Sequence, residues 1–75
     1  MTFKEYLANR VARENPQGDF VRDARADRQL PDVATWPELH SYLRSIRAGS
    51  ETIEAGRLVW QSYRQVLKPN SVTRA

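Results

Sequence analysis

Apolar residues recur at three- and four-residue spacing in four stretches of this chain, and no stretch sustains strict alternation of apolar and polar positions. The first pattern predicts helix; the second is what a half-buried strand would require. Phe3, Tyr6, Leu7 and Val11 form the first stripe, preceded by Thr2-Phe3-Lys4-Glu5. In that tetrad a Thr hydroxyl can accept an orphan amide while a Glu three residues on reaches back, which is a capping box. Helix one is expected over about Phe3 to Arg13. Asn15-Pro16-Gln17-Gly18 then reads as its stop and a tight turn.

Asp19 is the expected N-cap of a second helix running to about Arg28. Its apolar face is thin: Phe20, Val21 and Ala24, with Leu30 just beyond. Asp19, Asp23 and Asp27 recur every four residues and Arg22, Arg25 and Arg28 every three, so acids and bases face one another on adjacent turns. Pro31 disfavours helical geometry at Leu30, which makes Leu30 to Ala34 a connection with Leu30 and Val33 turned inward.

Thr35-Trp36-Pro37-Glu38 is the clearest helix start, joining a Thr cap, a first-turn Pro and a Glu at the third helical position. Leu39, Tyr42, Leu43 and Ile46 carry the stripe of helix three. Gly49 is expected to close it in the left-handed conformation. Ser50 or Thr52 then caps a fourth helix to about Leu67, with Ile53, Gly56, Val59, Trp60, Tyr63, Val66 and Leu67 on one face. Gly56 costs roughly 1 kcal/mol in helix propensity, so a second helix is expected to cross closely there. Pro69 is read as the stop. The expected fold is an all-α, compact orthogonal bundle of four helices over residues 1–69, followed by a flexible C-terminal tail, 70–75.

Composition narrows the function. At 75 residues there is room for one domain. Cysteine is absent, which removes disulfides and thiolate metal sites. No apolar run approaches the ~20 residues of a membrane span. The N-terminus lacks a signal-peptide core, and a cytoplasmic location is expected. Net charge is +3, from 12 basic and 9 acidic residues. That falls short of a dedicated nucleic-acid binder, although it permits weak affinity for acidic partners.

The ordered set of residues resembles the YozE-like family. The resemblance spans roughly Thr2 to Leu67. It rests on Phe3 with Tyr6-Leu7, on Asn15-Pro16-Gln17-Gly18-Asp19-Phe20-Val21-Arg22-Asp23-Ala24, on Leu30-Pro31, and on Trp36 with Leu39 and Tyr42-Leu43. It continues to Ala55, Trp60 and Tyr63. The turn Arg47-Ala48-Gly49-Ser50 departs from the pattern. The resemblance implies a four-helix fold similar to the sterile alpha motif. It transfers no catalytic residue, and domains of such folds bind proteins, bind nucleic acid or self-associate, so it selects no function.

Individual residues offer little chemistry. His40 is the only histidine; a general base needs a partner and a pocket, and the expected place for His40 is an exposed or boundary position. The Asp series on helix two lacks the loop oxygens that a hard cation demands. Phosphate-cradling and nucleophile-elbow motifs are missing. A non-enzymatic protein without metal or cofactor is therefore expected. Trp60, Tyr42 and Tyr63 are read as core, whereas Trp36 beside Pro37 is the candidate partner-binding anchor. Arg10, Arg13, Arg44, Arg47 and Lys68 sit where cations favour helix C-termini.

The leading expectation is a protein-interaction or self-association module with an unidentified partner. The alternative is a nucleic-acid-binding accessory protein using Arg22, Arg25 and Arg28 on helix two with Arg57 and Arg64 on helix four. A small regulator or inhibitor is a third class that no residue argues for.

Overall fold

The computed structural model describes residues 1–67. The expectations for Lys68, Pro69 and the 70–75 tail lie outside those residues. Within them the chain is all-helical: α1 Phe3–Asn9, α2 Pro16–Ala26, α3 Trp36–Ser45 and α4 Ser50–Leu67. The α4 helix packs against each of the other three, most extensively against α2.

Both capping boxes form as expected. The Glu5 amide donates to Thr2 Oγ1 at 3.1 Å while the Thr2 amide donates to Glu5 Oε1 at 2.7 Å. In α3 the Glu38 amide donates to Thr35 Oγ1 at 3.3 Å, and Glu38 Oε1 accepts from the Ala34 and Thr35 amides. Each box satisfies donors that a helix start would otherwise leave orphaned.

Three boundaries differ from expectation. First, α1 stops at Asn9, not Arg13. Its final carbonyls are taken by α2: Arg25 Nε donates to the Leu7 carbonyl at 2.7 Å and its Nη2 donates to that of Arg10. A cation from elsewhere in the chain thus meets the negative end of the dipole, the role expected of Arg10 and Arg13. Val11 leaves the predicted stripe and is 71% exposed.

Second, α2 begins four residues early. Asn15 is the N-cap, its side chain accepting from the Gly18 amide at 2.8 Å, and Pro16 opens the helix. The segment read as a tight turn is the first turn of the helix, because Pro is well suited to that position. Gly18 is buried there, and a Cβ on it would fall onto the Arg13 backbone carbonyl.

Third, α3 is closed by Arg47, with φ 61°, not by Gly49, and no glycine has positive φ among the described residues. The Ala48 amide donates to the Leu43 carbonyl at 2.9 Å and that of Arg47 to the Arg44 carbonyl at 3.0 Å. This bond pair is the Schellman motif, and Ala48 packs against the core beside it. Gly49 instead precedes α4, its carbonyl accepting from the Ile53 amide at 3.0 Å. Ser50 is the first helical residue and Thr52 lies inside the helix.

The core joins Phe3, Tyr6 and Leu7 of α1 to Phe20 and Val21 of α2, Leu39 and Leu43 of α3, and Ala55, Val59, Trp60 and Tyr63 of α4. Leu30 and Val33 turn in from the connection as expected. Phe3 lies 4.8 Å from Trp60 and 5.2 Å from Tyr63, centroid to centroid, and Tyr6 lies 5.4 Å from Tyr63. These spacings suit tilted and edge-on ring pairs. The Tyr63 hydroxyl donates to the Met1 carbonyl at 2.9 Å, tying the N-terminus to α4. Burial raises the Tyr63 pKa above its ordinary value. Gly56 is the expected close crossing: a Cβ there would stand 3.0 Å from Phe20 Cε1 and 3.2 Å from Leu43 Cδ1. Val66 and Leu67, assigned to the apolar face of helix four, are instead 54% and 49% exposed.

Candidate interaction surface

The six residues singled out from the sequence fall in different surroundings. Trp36 is the first residue of α3 and is half-buried against the core. Its ring stacks on His40 one turn later, centroids 5.3 Å apart and planes 8° from parallel. His40 is thus a boundary side chain. Trp36 also walls a shallow groove with Thr35, Pro37, Arg64 and Leu67, whose floor includes Trp60 and Tyr63. The fold therefore brings Trp36 and Arg64 together, although they are 28 positions apart in the chain.

The arginines of α2 and the first α4 arginine are largely engaged within the chain. Arg22 pairs with Asp19 at 2.5 Å, approaches Glu14 at 3.8 Å and donates to the Ala12 carbonyl at 3.3 Å. Arg25 closes α1. Arg57 grips Glu54 through Nε at 3.0 Å and Nη2 at 2.5 Å. That grip lowers the Glu54 pKa and raises that of Arg57. Only one of the acid–base pairs expected along α2 forms, Arg22–Asp19. Asp27 turns to α3 instead, accepting from the Tyr42 hydroxyl and, at 2.9 Å, from the Gln29 amide. The Tyr42 hydrogen bond, then that of Gln29, holds the Asp27 carboxyl below its usual range, and Tyr42 is raised in turn.

Arg28 lies away from Arg64, in a depression with Lys4 and Arg25 between α1 and α2. Arg64 thus lines one depression and Arg25 and Arg28 another. A further groove between the start of α2 and the first half of α4 is lined by Pro16, Gln17, Glu51, Glu54, Ala55 and Leu58. The sequence reading missed it. Ala55 and Leu58 stand three apart, a second short stripe on α4 beside the main one.

Among the described residues, no three His, Asp or Glu side chains are grouped to hold a metal ion. No helix among them is long and apolar enough to cross a membrane. No family model matches the chain, and neither a curated protein nor a solved structure is detectably similar to it.

Proposed function

We propose that the chain is a small non-enzymatic interaction module that docks a protein segment in the groove of Trp36, Pro37, Arg64 and Leu67. The observation behind this reading is the half-covered Trp36 beside an arginine and a half-exposed leucine. Aromatic and arginine side chains at a partly desolvated patch are the composition of binding hot spots. Among the described residues Arg64 is the only charged one lining the groove, and the complementary segment presents an apolar side chain next to a carboxylate. Membership of the YozE-like family, a fold similar to the sterile alpha motif and a cytoplasmic setting belong to the same proposal. They rest on the sequence resemblance and on the lack of a membrane-spanning helix among the described residues.

Nucleic-acid binding is the weaker reading because Arg22 and Arg57 are already paired with carboxylates within the chain. Phosphate contact needs cations that are free to give up their counterions.

Photo-crosslinking in cells tests the proposal. A photoreactive residue at Pro37 is compared with one at Ile46, which is exposed beyond the other end of α3. The expected result is a discrete protein adduct from position 37 only, lost in Trp36→Ala and weakened in Arg64→Glu, with both variants keeping the parent's helical circular dichroism. Identical adducts from both positions, or an adduct indifferent to Trp36→Ala, would overturn it. Binding to mixed RNA or DNA that disappears by about 0.3 M salt would replace it with the nucleic-acid reading.

A further inference from the structure

A different surface carries an independent inference. Between α1 and α2 lies a depression of about 370 Å³ lined by Leu7, Ala8, Ala24 and Leu30 together with Lys4, Arg25, Arg28 and Asp27. Ala8 and Ala24 leave it open, because each helix presents only a methyl group at that point. Its size falls at the lower end of small-molecule sites.

The charge around it is uneven. Three cations face one carboxylate. Arg25 is held in place by the Leu7 and Arg10 carbonyls, so its charge is fixed in the wall before any ligand arrives. That pre-organisation spares part of the ordering cost of binding. Asp27 is occupied by the Tyr42 hydroxyl and the Gln29 amide, which leaves fewer of its lone pairs to oppose an anion. Lys4 and Arg28 enter no ion pair among the described residues.

We infer that this depression binds a phosphate monoester carrying a small apolar group. The head, at about −1.5 to −2 charge near neutral pH, matches the surplus of two cations. The apolar group would lie over Ala8 and Ala24. An arginine and a lysine on opposite walls suit a phosphate, one as a planar donor and the other as a mobile point charge. This inference does not depend on the Trp36 groove.

Amide and side-chain NMR of the full chain at low salt tests it, using octyl phosphate below its micelle-forming concentration, pyrophosphate, and vesicles containing phosphatidic acid. The expected result is saturable shifts at Ala8 and Ala24 with octyl phosphate, and weaker binding of pyrophosphate. Arg28→Glu and Lys4→Gln should each weaken the octyl phosphate affinity by about tenfold or more, while Arg64→Glu leaves it unchanged. Lys4→Gln, on the exposed face of α1, serves as the second variant should Arg28→Glu disturb folding. The inference is overturned by shifts that do not saturate, by equal losses in Arg64→Glu, by pyrophosphate binding as tightly as octyl phosphate, or by binding to vesicles alone.

Discussion

A methyl group on Gly18 would land on the backbone carbonyl of Arg13, and neither backbone can yield without unwinding the start of α2. Gly18→Ala is therefore expected to lower stability by about 2 kcal/mol, the strain outweighing the gain in helix propensity. Urea denaturation reads this as a lower midpoint at unchanged slope; a neutral result would mean that the two backbones separate freely. Arg47 presents the opposite case, a side chain where the backbone favours glycine. Left-handed geometry costs a non-glycine residue about 1 kcal/mol, offset in part by the greater freedom glycine has when unfolded. Arg47→Gly should raise stability by about 0.5 kcal/mol, and Arg47→Val should lower it. At this scale Gly18 was legible only as part of the Asn15-Pro16-Gln17-Gly18 turn signal, and its crowding was not. A crowded carbonyl from the preceding segment leaves no mark in the local sequence. Glycine is the commonest left-handed cap, which makes Gly49 the local expectation. The left-handed residue falls two positions earlier, at Arg47, and Ala48 packs inward beside it to complete the motif.

Among elements, Asp27 at the C-cap of α2 is tied to Tyr42 of α3. The folded carboxyl lies below its unfolded value near 3.9, so below neutral pH the unfolded chain binds the extra proton first. The stability that this pair contributes is complete above the unfolded pKa and is lost as pH falls through the folded one. Asp27→Asn and Tyr42→Phe should each flatten the decline in melting temperature between about pH 5 and pH 2, and the double variant should flatten it no further. Thermal melts across that range check this; an additive double variant would mean that the two groups act separately. The same scale explains the short α1. Its periodicity extends to Val11, yet Arg25 satisfies its carbonyls at Leu7 and Arg10, so the helix ends where a tertiary donor reaches it. Gly56 was legible as a crossing point because a glycine amid an otherwise good helical stripe needs a packing reason. That Phe20 is the neighbour was not.

For the molecule as a whole, Phe3, Tyr6, Trp60 and Tyr63 join the first helix to the last. A core this small supplies only about 3–5 kcal/mol, and truncating a buried aromatic costs about as much. Trp60→Ala is accordingly expected to abolish the cooperative thermal transition seen by near-ultraviolet circular dichroism. Phe3→Leu should keep a cooperative transition at a lower midpoint. A Trp60→Ala variant that melts sharply would show that the stability resides elsewhere, with the α2–α4 crossing the next place to look.

What the sequence determined by itself was the helical class, the four elements, both capping boxes and nearly all of the core, since capping and 3.6-residue periodicity are local properties written in neighbouring residues. Tertiary structure alone decided where α1 stops and that Arg25 is spent on its carbonyls, 15 and 18 residues away. It also decided that Trp36 shares a groove with Arg64 while Arg28 faces Lys4. Each of these depends on where a side chain meets a group far away along the chain, and sequence spacing carries no information about that distance until the helices pack.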